Sequence, residues 1–135
     1  AMKFAMNHPK MVKALILNGG NLNANGVKRT TQIPIEIGYK IAKHFAAKSS
    51  DAQRNAEMLG LMINDPNIEL CELSQITAPT LVICGTRDMI RESHTKEIVT
   101  GIPNARLTIL KGNHFIANNC PVEFNYAVDE FLKTI

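Results

Sequence analysis

The sequence is poor in the features that mark several large classes of protein. It has no tryptophan, two tyrosines and five phenylalanines, so it offers few aromatic side chains for stacking against nucleic-acid bases. Its lysines and arginines are interspersed with acidic residues and give a formal net charge of only +3. No apolar run approaches the roughly 20 residues that cross a bilayer. The sequence therefore predicts neither a nucleic-acid partner nor a membrane partner.

Cysteine and glycine-rich motifs are also scarce. The three cysteines, Cys71, Cys84 and Cys120, are an odd number and lack the spacing of metal ligands. This usage is typical of reduced thiols in a cytoplasmic protein, and the first residues contain no signal-peptide core. Gly19-Gly20 follows an apolar run but lacks the rest of a dinucleotide fingerprint. We therefore expect a cytoplasmic protein without cofactor or metal.

The apolar residues that are present fall into runs that predict an α/β fold. Three runs, at residues 12–17, 80–85 and 106–111, are typical of parallel strands covered on both faces. Helical periodicity separates them, including a helix over 31–48 with Ile33, Ile37, Ile41 and Phe45 spaced by four. A second helix is predicted to open at Ser50, a third covers residues 91–101, and a last helix starts at Pro121. Length and pattern fit one domain over residues 1–135.

Two of the predicted strands end on residues that can do chemistry. Asp88 follows the strand at 80–85, and His114 follows the next strand after Gly112. Ligand and catalytic sites in open α/β sheets lie at the carboxyl ends of the strands. A carboxylate that orients an imidazole is the acid–base half of a nucleophilic triad. Taken singly, Asp88 is also typical of an aspartate that closes a turn or caps a helix. His114, taken singly, is also typical of a hydrogen-bonded structural histidine.

The order of these elements resembles the later part of an α/β-hydrolase. The resemblance lies in three segments, "FAMNHPKMVKALILNGG", "ITAPTLVICGTRDMI" and "IPNARLTILKGNHFIANNCPVEFNYAVDEFL". It implies a partial α/β-hydrolase fold, with Asp88 as the triad acid and His114 as the triad base. Residues 21–75 match the cap-like helical insertion that roofs the pocket in this family. The implied reaction is hydrolysis of an ester, an amide or a related bond by a serine nucleophile.

One part of the family pattern has no counterpart in the sequence. The Gly-x-Ser-x-Gly turn that exposes the nucleophile beside the oxyanion hole does not occur. The family pattern places it about half a dozen residues before Met2. Loss of a triad serine alone costs on the order of 10⁶ in turnover. We therefore expect this chain to be inactive by itself.

The other nucleophilic side chains are poor substitutes for that serine. The serines lie in helix starts or interiors without flanking glycines; they are Ser49, Ser50, Ser74 and Ser93. Cys84 lies within a predicted strand, where packing is its expected role. Cys120 precedes Pro121 at a helix start and is the first candidate if activity were found.

Three interpretations of function follow from this pattern. The chain is the acid- and base-bearing portion of a hydrolase, one half of a split hydrolase completed in trans, or a non-catalytic interaction module or decayed gene product. A small-molecule substrate is expected only where a nucleophile-bearing segment completes the site. Without the neighbouring strand, the edge of strand 12–17 is unpaired, and we expect a homodimer through that edge.

Overall fold

Three apolar segments form the parallel sheet that the sequence predicts. In a computed structural model that describes residues 1–135, the strands are β1, Leu15–Asn18, β2, Thr80–Gly85, and β3, Ala105–Leu110. The sheet order is β1-β2-β3, and both strand pairs are parallel. The central strand β2 is buried along its whole length, as expected for a run covered on both faces. The α/β fold class is thus confirmed.

The strand boundaries differ slightly from those predicted. β2 has the predicted bounds, whereas β3 begins and ends one residue early. β1 starts three residues later than predicted because Leu15 is already opposite Thr80, the first residue of β2. Residues 12–14 therefore precede the partner strand and have nothing to pair with in the sheet.

Residues 1–20 and 68–135 form one compact unit around this sheet. Its helices are α1, Met2–Asn7, α4, Glu92–Gly101, α5, Ile116–Asn119, and α6, Pro121–Leu132. The sequence interpretation did not include α5. Phe131 of α6 and Ile116 of α5 form a buried cluster with Leu81 and Ile83 of β2. The helix α6 starts at Pro121 as predicted and ends at Leu132, and Ile135 beyond it is exposed.

Residues 21–67 form a second compact unit built on two helices. These are α2, Arg29–Phe45, and α3, Ser50–Asn64. α3 begins at Ser50 as predicted, but its N-cap is Ser49, whose hydroxyl accepts a hydrogen bond from the Ala52 amide. Pro34 lies inside α2, because the helix begins at Arg29 and its first turn is complete before the proline.

Gly85, the last residue of β2, lets two backbones approach each other. The loop after β3 crosses it so closely that a Cβ at residue 85 would meet the carbonyl oxygens of Gly112, at 2.5 Å, and Asn113. Neighbouring backbone hydrogen bonds fix this approach, since Thr86 N donates to Leu110 O and Arg87 N to Gly112 O, both at 2.8 Å. The loops after β2 and β3 are therefore held in contact.

We expect Gly85→Ala to destabilise the protein by about 3 kcal/mol, because backbone atoms have no rotamer by which to move away. Gly38→Ala is the matched control: its Cβ would meet only the side-chain tip of Leu59, at 3.4 Å. An alanine in the interior of α2 should be neutral or stabilise it by about 0.5–1 kcal/mol. Urea unfolding of both variants measures the difference. Equal stability of the two variants would show that the loops yield without cost.

Candidate active site

Asp88 is held in a tight turn immediately after β2. Its own amide donates to the Gly85 carbonyl at 3.1 Å. Its carboxylate accepts hydrogen bonds from the amide of Ile90, at 2.9 Å, and from the amide of Gly85, at 3.4 Å. The side chain is almost completely buried. Asp88 therefore closes a turn, which is the structural role expected of it when taken singly. Its carboxylate accepts a third hydrogen bond in addition to those from the two amides.

That third partner is His114. The loop after β3 is pinned by the Gly112 amide, which donates to Thr86 Oγ1 at 3.3 Å. Asn113 stabilises the next turn, since its side-chain oxygen accepts from the Phe115 amide at 2.9 Å. His114 Nδ1 then lies 2.8 Å from Asp88 Oδ1. The two residues that the sequence singled out thus meet at the carboxyl ends of adjacent parallel strands.

The hydrogen bond shifts the pKa values of both residues in opposite directions. Burial would raise the pKa of Asp88, but the hydrogen bond from His114 and those from the two amides outweigh it and leave that pKa below its ordinary value. The same bond to Asp88 raises the pKa of His114, against the opposing effect of burial. The charged forms of both side chains are therefore favoured.

These shifts set the pH range in which the pair stabilises the fold. The raised pKa of His114 means that its contribution is complete below its ordinary value of 6.5 and is lost as pH rises through the folded-state pKa. The lowered pKa of Asp88 means that its contribution is present above 3.8 and is lost as pH falls through the folded-state pKa. The pair contributes fully between these two values.

Gly19 is a site residue that the sequence interpretation missed. It follows β1, has a φ of +58°, and donates its amide to Ile83 O at 2.9 Å. A Cβ at this position would lie 2.5 Å from His114 Nδ1 and 3.4 Å from Asp88 Oδ2. The imidazole therefore packs directly against the glycine backbone. The one signal in the sequence was that Asn18-Gly19-Gly20 ends a third predicted strand. Because the carboxyl ends of parallel strands share one sheet edge, these residues are expected near Asp88 and His114.

Several of the alternative nucleophiles are buried or hydrogen-bonded elsewhere. Cys84 is buried within β2, and burial, with Asp88 and Glu92 nearby, raises the pKa of its thiol. The sulfur of Cys120 donates to the carbonyl of Lys111 at 3.5 Å, and the Ser74 hydroxyl donates to Cys71 O at 2.8 Å. No serine hydroxyl or cysteine thiol hydrogen-bonds the imidazole of His114. A groove of about 790 Å³ between α6 and β3 contains neither residue of the pair.

The fold occurs in several solved enzymes. An enol-lactonase from Burkholderia xenovorans matches 98% of this chain with a TM-score of 0.68 at 17% identity, and the match covers 60% of that enzyme. A meta-cleavage product hydrolase from Pseudomonas fluorescens matches 98% with a TM-score of 0.68 at 18% identity and is covered over 60%. A hydrolase from Pseudomonas aeruginosa matches 97% with a TM-score of 0.66 at 24% identity and is covered over 59%.

The chain has part of the α/β-hydrolase fold. It spans about three fifths of the length of these three enzymes, and its sheet has three strands. No model of a protein family matches the sequence, nor does any curated protein. No helix of this chain is long and apolar enough to cross a membrane.

We expect Gly19→Ala to displace the imidazole and to lower the pKa of His114, because the new methyl group occupies the position of the ring. The left-handed backbone adds about 1–2 kcal/mol of strain for a non-glycine residue. Gly20→Ala is the control, since its Cβ would make only ordinary contacts of 3.6 Å with Leu17 and 3.7 Å with Ile98.

A double-mutant cycle with His114→Ala separates the two costs. Gly19→Ala should destabilise the His114→Ala background less than the wild-type chain, because only the backbone strain remains. An unchanged cost in both backgrounds, together with an unchanged pKa of His114, would show that Gly19 does not position the imidazole.

Proposed function

We propose that the chain supplies the acid–base machinery of a serine hydrolase that cleaves esters, amides or related bonds. The observation that supports it most is the 2.8 Å contact between His114 Nδ1 and Asp88 Oδ1 at the carboxyl ends of parallel strands. In this role Asp88 stays ionised and holds the Nδ1 proton. The Nε2 atom of His114 is then free to take the proton of a serine and return it to the leaving group.

The raised pKa of His114 fits this cycle. A base that accepts a proton in the transition state works best when the resulting imidazolium is stabilised by a buried carboxylate. Asp88 is only 4% exposed, whereas the His114 side chain is 27% exposed. The acid is thus shielded from water while the base is open to a reacting group.

The nucleophile in this proposal is carried by a segment that pairs with the free edge of β1. That strand pairs only with β2, so the outward amides and carbonyls of its other edge are unpaired in the sheet. Ile16 and Asn18 are exposed beside this edge. A strand added there parallel to β1 would bring its carboxyl end to the edge of the sheet at which His114 and Asp88 meet. The segment lies either elsewhere in a longer polypeptide or on a separate chain.

The same free edge supports a second candidate, a non-catalytic assembly in which two copies pair through β1. An unpaired strand edge is a template for another strand of any origin. The assignment of residues 21–75 as a cap-like insertion is likewise part of the proposal.

Ester hydrolysis tests the catalytic proposal. The chain alone should hydrolyse p-nitrophenyl acetate no faster than its His114→Ala variant, because no nucleophile accompanies the base. When the part of the Pseudomonas aeruginosa hydrolase that this chain does not cover is fused ahead of Met2, turnover should appear. His114→Ala in the fusion should reduce that turnover by on the order of 10³ or more.

Circular dichroism of each fusion shows that it is folded. Asp88→Asn should also lower turnover, whereas Glu123→Gln, at an exposed position in α6, is the neutral control. A folded, active fusion that is indifferent to His114→Ala would refute the catalytic role. Activity of the chain alone that Cys120→Ser abolishes would refute the need for an added serine.

A further inference from the structure

The loop that carries His114 is closed by one side-chain oxygen. Asn113 Oδ1 accepts a hydrogen bond from the backbone amide of Phe115, at 2.9 Å, and a second from Asn119 Nδ2, at 3.1 Å. An amide oxygen has two lone pairs, so it can accept both bonds at once. Both donors follow His114 in the sequence, whereas the acceptor precedes it. Asn113 therefore joins the chain before the histidine to the chain after it.

The first of these bonds encloses the histidine itself. A side-chain oxygen of asparagine that accepts from the amide two residues on forms an Asx turn, in which the side chain takes the place of a backbone carbonyl. His114 is the central residue of this turn, so the bond restrains the backbone from which the imidazole projects. The ring of Phe115 also packs edge-on against the imidazole, with 5.6 Å between the ring centroids and 83° between the ring planes.

The second bond ties the turn to α5. Asn119 is the last residue of that helix, and its side chain returns to the Asn113 oxygen. A helix of four residues is too short to be stable alone, but α5 is anchored by Ile116, which is fully buried in the cluster with Phe131. Ile116 Cγ2 also lies only 2.8 Å from the position that a Cβ would take at Gly112. The hydrophobic core therefore fixes α5, and α5 holds Asn113.

The other bonds of this loop end before the turn. The bonds from Arg87 N and to Thr86 Oγ1 fix the loop as far as Gly112. One further hydrogen bond crosses position 114, from Cys120 Sγ to Lys111 O at 3.5 Å. A thiol is a weak donor, and this bond reaches the end of the strand rather than the turn. The turn around the histidine therefore depends on the Asn113 oxygen.

We propose that Asn113 and Asn119 are positioning residues, whose shared hydrogen bond holds the turn from which the His114 imidazole reaches Asp88. Neither side chain hydrogen-bonds the imidazole, so both act through the backbone of the turn. Their use in catalysis rests on the serine hydrolase proposed above. Their effect on the imidazole does not, and it can be measured in the chain alone.

The tautomer of the neutral His114 imidazole measures this effect. The bond to the buried carboxylate holds the proton on Nδ1, and the ¹⁵N shifts of labelled histidine give the ratio of the Nδ1–H form to the Nε2–H form. Asn113→Ala should lower that ratio about three- to tenfold, as expected for the net loss of one hydrogen bond. Asn119→Ala should lower it by less, because the bond from Phe115 remains. Asn118→Ala, likewise exposed on α5, is the matched control and should leave the ratio unchanged.

Two further variants separate positioning from a general loss of stability, with circular dichroism to show that each chain is folded. Asn113→Asp keeps an oxygen that accepts both bonds and should restore the ratio. Asn119→Ala should have no further effect in the Asn113→Ala background, because it acts through that oxygen. A folded Asn113→Ala chain with the wild-type ratio would overturn the proposal. An Asn113→Asp chain that restores nothing would overturn it too, as would an equal effect of Asn119→Ala in both backgrounds.

The fusion with the Pseudomonas aeruginosa segment then tests the use of the turn in catalysis. Asn113→Ala should lower kcat for p-nitrophenyl acetate by a similar factor of about three to ten with little change in KM, because it displaces the base rather than the substrate. An inactive fusion, with the tautomer ratio shifted as expected, would refute the hydrolase and leave the positioning role standing. An active fusion whose kcat Asn113→Ala leaves unchanged would refute the use of the turn in catalysis.

Discussion

The hydrogen bond between His114 and Asp88 is the contact around which the sheet unit is arranged. It joins two loops whose own backbones are already tied by Thr86, Arg87 and Gly112. A buried carboxylate without a partner would be costly, and an imidazole at a sheet edge without one would be free to rotate. The pair solves both problems, since each charged form is stabilised by the other. The same arrangement is what a nucleophilic mechanism requires of its acid and base.

Two glycines make this contact possible by bringing backbones closer than any side chain would allow. Gly85 admits the loop that delivers His114, and Gly19 admits the imidazole itself. Gly19 follows β1, Gly85 ends β2, and His114 follows β3. All three strands of the sheet therefore contribute a residue to the candidate site. A single positive φ, at Gly19, is the local backbone cost of that geometry.

Much of the fold could be predicted from the sequence, because buried strands and helices have a local pattern of apolar residues. β2 was predicted to the residue, since an apolar run between Pro79 and Gly85 has clear limits. The proximity of Asp88 and His114 could be predicted because the carboxyl ends of the strands of a parallel sheet lie at one edge. The start of β1 could not be predicted, because it depends on where β2 begins, and β2 is far along the chain. The contact of Gly19 with the imidazole could not be predicted for the same reason, since His114 lies in the loop after β3, far along the chain.

The helical unit shows a different limit of sequence reasoning. Periodicity of four predicted that Ile33, Ile37, Ile41 and Phe45 share one face of a helix, and they do. It did not reveal that α2 packs on α3 through Gly38 and Tyr39, while these four side chains are exposed. Small residues allow close helix contact without a strong apolar signal.

The central claim is that Asp88 holds His114 as an acid–base pair, and a titration of His114 tests it most directly. Histidine labelled with ¹⁵N, assigned by loss of the resonance in His114→Ala, gives the pKa and the tautomer together. The account predicts a pKa above the ordinary 6.5, with the proton on Nδ1 in the neutral form, and a lower pKa in Asp88→Asn, where burial acts unopposed. A His114 pKa at or below 6.5 that Asp88→Asn does not change would contradict it.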